Sequence, residues 1–244
     1  MKKYKVFKVL AGVLFLLTLI FGVLAVKEYI PFIKSSYHLE NLRQIAVRKT
    51  DNTCEFTEES VPDLPQIDFL ALQDINEDIR GWLYCPQIGV NQPILKGSTD
   101  NYYLSKGYDK SYDYLGSIFT FSDTKDDLSD DNIFLFGHNM RSGQMFGNLD
   151  YFCDNTFLNN NKYVYLYTPT SISEYEVQDV FKTNKNDEFF NSTTSSFEDA
   201  RQLNLCTCNG YRNTPIRLVV RCKFNKYIGV PDFGTERSDN DRLK

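Results

Sequence analysis

Between Val6 and Val26 the chain is apolar at every position except Lys8 and Thr18. At helical rise such a run covers roughly 30 Å, the thickness of a bilayer's hydrocarbon core. Lys2, Lys3, Lys5 and Lys8 sit on its amino-terminal side. An excess of lysine on one flank places that flank in the cytoplasm, so everything after Lys27 is expected outside. A cleaved signal peptide shares the basic start, but this run is longer than a usual signal core, and Ala25 in VLAVKEY is a poor cleavage site. The expectation is a retained single-pass anchor in a cell membrane. On this reading residues 1–27 are the cytoplasmic tip and anchor, 28–67 an extracytoplasmic stalk and linker, and 68–244 the globular domain.

The stalk, from Glu28 to Lys49, spaces Ile30, Ile33, Tyr37, Leu42 and Ile45 in a loosely helical way among charges. Residues 50–66 are acidic and small polar with two prolines, a linker composition. Beyond it, Asp68 is placed to cap a helix carrying Phe69, Leu72, Ile75 and Ile79 and ending at Gly81. Eight short apolar or alternating runs then follow, separated by turn residues: WLYCP, VNQPIL, SIFTF, NIFLFG, YVYLYT, EYEVQDVF, LNLCTC and IRLVVRCKF. Regular short strands of this kind predict a mainly β barrel or sandwich. Sixteen Tyr and nineteen Phe against one Trp point the same way. A short helix with a turn is expected within Ser142–Phe157, and another helix at Phe197–Leu203.

A formal net charge of −5 offers no sequence-wide attraction to phosphate, which argues against a nucleic-acid partner. Six cysteines lie at irregular spacing without a CxxC pair, and only two histidines exist, so no metal site and no cofactor is expected. The acidic stretch Asp123–Asp131 reads as a solvated charge run rather than a calcium site.

His38 lies in the stalk and His138 follows the run NIFLFG, so His138 is the candidate catalytic imidazole. The run LNLCTC ends at Cys208, and the next strand opens with Ile216 and Arg217 after a loop holding Gly210 and Pro215. On such a hairpin a thiol and a guanidinium at the two lips approach closely. The set is chemically coherent. A thiolate attacks an amide carbonyl, an imidazole protonates the departing amine, and a permanent cation donates hydrogen bonds to the oxyanion. Cys206, two residues before Cys208, shares its strand face, and Arg212 competes with Arg217 for the charge role. A buried cysteine, a surface histidine and a solvated arginine would look the same in sequence, so the residues alone do not decide.

The segments GWL at 81–83, DNYYL at 100–104, GSIF at 116–119, NIFLFGHNM at 132–140, MFGNL at 145–149 and YVYLYTP at 163–169, with LCTC followed by RLVV, resemble a sortase in order and spacing from Asp68 to Lys226. The amino-terminal anchor, the helix ending INEDIRGWL and a helix-bearing insertion at Asp187–Leu203 resemble class B. This resemblance implies a closed eight-stranded barrel with peripheral helices, in which His138, Cys208 and Arg217 take the catalytic positions. It implies a cysteine transpeptidase that cleaves the carboxyl-terminal sorting signal of a secreted protein through a thioacyl intermediate on Cys208. An amine of the peptidoglycan cross-bridge then receives the cargo. Asn204, Cys206, Thr207 and Tyr211 are the matching substrate-lining positions. The chain departs from the family's T-L-x-T-C pattern, with Asn204 in place of the first threonine and Cys206 where class B often has serine. A pilus-assembling transpeptidase and a silent, membrane-tethered peptide-binding module are the alternatives. An L,D-transpeptidase would need an S-x-G-C segment that this sequence lacks.

Overall fold

The computed structural model describes residues 2–48, 64–194, 196–208 and 214–231. Anchor and stalk are one helix, α1, running from Lys2 to Ala46 through Pro31. Along Val6–Val26 its large side chains are exposed to the surroundings, as a lipid-facing helix would have them. Further on, Ser35, Leu39, Leu42 and Ala46 are buried against the rest of the protein. Their spacing of four, three and four residues is one helical stripe.

Two residues of β1, Val47–Arg48, pair antiparallel with β2, Gln66–Ile67. Most of the expected linker, residues 50–63, lies outside the described residues, as does Cys54. Asp68 caps α2, Phe69–Ile75, by accepting from Ala71 N at 3.0 Å. The helix does not reach Gly81 as its apolar spacing suggested. Asn76 is extended at φ −154°, and its side-chain amide donates to the Tyr103 hydroxyl and the Tyr108 carbonyl. Ile79 is buried as the first residue of a strand, where its spacing from Ile75 is incidental.

All eight apolar runs are strands: β3 Ile79–Cys85, β4 Val90–Lys96, β5 Ile118–Thr120, β6 Asn132–Phe136, β7 Tyr163–Thr168, β8 Ser171–Asn184, β9 Gln202–Cys208 and β10 Ile216–Gly229. They close into a barrel in the order β10-β8-β7-β3-β4-β5-β6-β9. Closure leaves no strand edge unpaired. Ile133 and Leu135 of β6, Leu203 and Leu205 of β9, and Leu218, Val220 and Cys222 of β10 share the interior cluster, each one residue out of phase with an outward neighbour. Each such burial is worth about 1.5–3 kcal/mol. On the opposite side of the wall, Trp82, Tyr165 and Tyr167 pack with Leu42 of α1 and Phe69 and Leu72 of α2.

Between Ser142 and Phe157 lies a 3₁₀ turn, Leu149–Cys153, followed by α3, Asn155–Asn160, which Asp154 caps. The helix expected at Phe197–Leu203 is absent. Residues 197–201 form turns, and Gln202 already opens β9, because alternation carries Leu203 and Leu205 into the barrel. The β8–β9 connection carries a 3₁₀ turn instead, Glu188–Asn191, capped by Asp187 accepting from Phe189 N.

Candidate active site at the rim of the barrel

Three adjacent strands, β6, β9 and β10, end or begin at one rim. In β9 and β10, Cys208 and Arg217 are direct antiparallel partners. β6 runs parallel to β9 with Phe136 beside Cys206. Past the end of β6, Gly137 N donates to Cys206 O at 3.2 Å and Thr207 Oγ1 donates to Gly137 O at 2.7 Å. His138 follows Gly137 at this same end of β6, two residues beyond the last paired position. Positions 134 and 136, positions 204, 206 and 208, and positions 217 and 219 therefore fall on one outer face of the wall. Backbone pairing puts Cys208 beside Arg217, and the strand that leads into His138 beside the same β9.

His138 is half-buried, and its Nε2 lies 2.7 Å from the Leu104 carbonyl. A carbonyl only accepts, so Nε2 carries the proton and Nδ1 is the acceptor of the neutral ring. Leu104 belongs to the connection between β4 and β5. Gly116 in that connection adopts φ +60°, and a Cβ there would sit 2.4 Å from the Leu104 oxygen, so only glycine lets the two strands of the loop close on each other. Sequence reasoning missed Leu104, because a backbone oxygen leaves no side-chain signature. The loop after His138 turns back on it, with Phe146 N donating to His138 O at 2.9 Å.

Arg217 is also half-buried, and its Nη1 donates to the carbonyls of Thr214 at 2.7 Å and Ile216 at 3.3 Å. These bonds pin the guanidinium to the start of β10. A guanidinium has five N–H donors, so one nitrogen can hold the backbone while others serve a ligand.

The positions expected to line a substrate groove take internal places. Asn204 is fully buried, donating to Asn132 Oδ1 at 2.6 Å and Ile133 O at 3.1 Å while accepting from Gln202. Cys206 is fully buried against Phe134 and Val219, under Phe121, Phe181, Phe189 and Phe190. Burial pushes its thiol well above the usual cysteine range, and the nearby Arg217 charge offsets this only in part. Cys206 is a free thiol that donates weakly to Asn204 O at 3.7 Å. Thr207 is 2% exposed and committed to Gly137. Tyr211 and Arg212 lie outside the described residues. The aromatic roof over Cys206 was not read from sequence, although the pair Phe189–Phe190 in an otherwise polar connection is its signal. Beside it runs an open groove between Asp100, Phe121–Thr124, Phe134 and Phe190–Thr193.

Among the described residues no group of three or more His, Cys, Asp or Glu side chains is arranged to hold a metal.

Comparison with known proteins places the same stretch in one family. Residues 83–225 match the sortase domain model. Sortase B of Staphylococcus aureus is 27% identical over 191 residues, covering 78% of this chain and 74% of that protein. Sortase B of Listeria monocytogenes is 36% identical over 87 residues, 36% of this chain, and the match spans only 35% of that relative's length. The X-ray structure of Clostridium perfringens sortase B superposes with a TM-score of 0.56 at 29% identity, over 65% of this chain and all of that one.

Proposed function

Because the chain belongs to the sortase family of cysteine transpeptidases, with class B enzymes among its relatives, we propose that it cleaves the carboxyl-terminal sorting signal of a secreted protein and transfers the cargo to a peptidoglycan amine. The acyl group rests meanwhile on Cys208. The work takes place on the outer side of a membrane spanned by α1. The observation that carries this reading is the register: Cys208 is the cross-strand partner of Arg217, and β6, which leads into His138, runs beside the same strand on its other side.

In this reading the Cys208 thiol loses its proton to Nδ1 of His138, the nitrogen left as acceptor by the Nε2 contact with Leu104. The sulfur adds to the scissile carbonyl carbon, and the oxygen takes the negative charge. Arg217 donates hydrogen bonds to that oxyanion from a guanidinium already held by two carbonyls. The C–N bond breaks, His138 returns its proton to the departing amine, and a thioester remains. The acceptor amine then attacks the thioester, His138 takes the amine's proton, and Cys208 leaves as a thiolate that is reprotonated. Cys206 takes no part, since its buried thiol resists ionisation.

The test uses the full chain in detergent micelles with fluorogenic peptides bearing sorting signals, with and without an amine acceptor. Cleavage should release the carboxyl-terminal fragment, and intact-mass spectrometry should find the acyl adduct on Cys208. C208A should abolish both, and C206A should retain both. Activity lost in C206A but kept in C208A overturns the assignment, and peptide binding without any cleavage favours a silent binding module.

A further inference from the structure

The outer part of α1 touches both stretches of chain that fix His138. On one side, Gln144 Nε2 donates to Ser36 Oγ at 2.8 Å, and Ser36 donates in turn to Phe32 O at 2.8 Å. Gln144 lies in the loop that folds back on His138, closed by the Phe146–His138 backbone bond and an Asn139–Met145 bridge. On the other side, His38 packs its ring 4.4 Å from that of Tyr108. Its Nε2 is 3.4 Å from Asp109 and its Nδ1 3.8 Å from Asp113. Asp113 N donates to the carbonyl of Ser105 at 3.1 Å, and the neighbouring carbonyl, of Leu104, is the one that holds His138 Nε2. Between these two grips, Ser35 and Leu39 of α1 line one small void with Asp113, Gly116 and Met145, so helix, connection and loop meet at a common point.

We infer that Ser36 and His38 are positioning residues for His138, so that the imidazole is correctly set only when α1 is docked on the barrel. This rests on the proposed role of His138 as the proton carrier. A proton-transferring ring has to be held within about 0.5 Å, and a displacement of about 1 Å costs on the order of 100-fold in rate. Ser36 fixes the segment carrying the ring, and His38 fixes the segment carrying the oxygen that orients it. The stalk thereby belongs to the catalytic geometry rather than serving only as a tether.

The chain has two histidines, which makes the ring of His138 directly observable. In ¹⁵N-histidine spectra of the full chain in micelles, His38→Asn leaves one imidazole and assigns His138 by subtraction. The wild-type ring should be the Nε2-protonated tautomer. Ser36→Ala, Gln144→Ala and His38→Asn should each shift its nitrogen resonances towards a tautomer mixture. With a sorting peptide, kcat should fall about 5- to 20-fold while KM stays within about twofold, since a misplaced ring costs rate rather than binding. Ser36→Thr, which keeps the hydroxyl, should restore both signals. The double variant Ser36→Ala/Gln144→Ala should be no worse than either single variant, because they break one bond. Unchanged His138 resonances in folded Ser36→Ala and His38→Asn overturn the inference. If His138→Asn leaves turnover intact, the proposed function fails instead, and the ring spectra still report whether α1 sets His138. Ser36→Ala removes a single half-buried hydroxyl, so it remains informative even if His38→Asn fails to fold.

Discussion

Cys208 and Arg217 are direct cross-strand partners at the rim where β9 ends and β10 begins. Arg217 holds its place by donating to two carbonyls of its own approach segment. A lysine has the charge but not the planar fork, so it cannot hold the backbone and donate to a ligand in the same way. R217A should lower kcat by about 10²- to 10³-fold, the usual cost of losing an oxyanion donor, and R217K should recover little of it. Steady-state kinetics with a sorting peptide measures both, and full activity in R217K would refute the fork argument.

Thiol chemistry should separate the cysteines. Cys85, Cys206 and Cys222 are buried with thiols raised by burial, whereas Cys153 is exposed on the 3₁₀ turn after Asn148. Iodoacetamide at neutral pH should label Cys208 and Cys153 in the native chain and spare Cys85, Cys206 and Cys222 until denaturant is added. Peptide mapping by mass spectrometry reads the sites, and rapid native labelling of Cys206 would contradict its burial.

Asn204 should behave as a structural residue. Replacing it by alanine takes one partner from each of the buried amides of Asn132 and Gln202, which keep their bond to each other, and removes the donation to Ile133 O. Unsatisfied buried amides cost about 1–3 kcal/mol each. N204A should therefore lower the urea midpoint of the barrel by an amount of that order while KM for a sorting peptide changes little. A large rise in KM with unchanged stability would return Asn204 to the substrate groove.

Acid should loosen the connection that carries Leu104. Burial works against ionisation of Asp78, but hydrogen bonds from the Tyr103 hydroxyl at 2.6 Å and the Lys110 ammonium at 3.0 Å outweigh it and hold the carboxyl below its ordinary range. A carboxyl depressed on folding contributes stability above its unfolded value of about 3.9, and that contribution is lost as pH falls through the lower folded value. The melting temperature of the wild type should thus drop between about pH 4 and the folded value. D78N should melt about 5 °C lower at pH 7, a loss of roughly 2 kcal/mol for hydrogen bonds to a charged group, and should show a flatter acid limb. Parallel melting curves for the two proteins from pH 7 to pH 3 would exclude this role for Asp78.

The barrel was legible because each of its eight strands writes its own signal locally. LNLCTC and IRLVVRCKF alternate in step with the interior cluster, and NIFLF is a short apolar block bounded by polar residues and Gly137. The family pattern supplied the rest of the expectation, including the set His138, Cys208 and Arg217, of which Cys208 and Arg217 are cross-strand partners. Helix ends were less legible. Ile79 continues the helical spacing of α2 yet belongs to β3, because Asn76 finds better hydrogen bonds extended than helical. The helix expected at Phe197–Leu203 does not form, because strand alternation claims Gln202 and Leu203. What lies between elements was invisible: the Leu104 oxygen against His138, and the docking stripe of α1, in which Ser35 and Ala46 are too small to announce a buried face.

The unbroken course of α1 fixes an altitude. From Lys27 to Ser36, where the helix first bonds the loop after His138, it climbs roughly 14 Å at about 1.5 Å per residue. Were its apolar stretch embedded in lipid, the barrel would ride on a post instead of drifting on a string. A cargo chain still threaded through the membrane would have to expose its scissile bond at that height. Inserting or deleting a few residues below Ser36 would both raise or lower the rim and swing it around the helix axis by about 100° per residue, so the length of this post is as much a specification as any side chain.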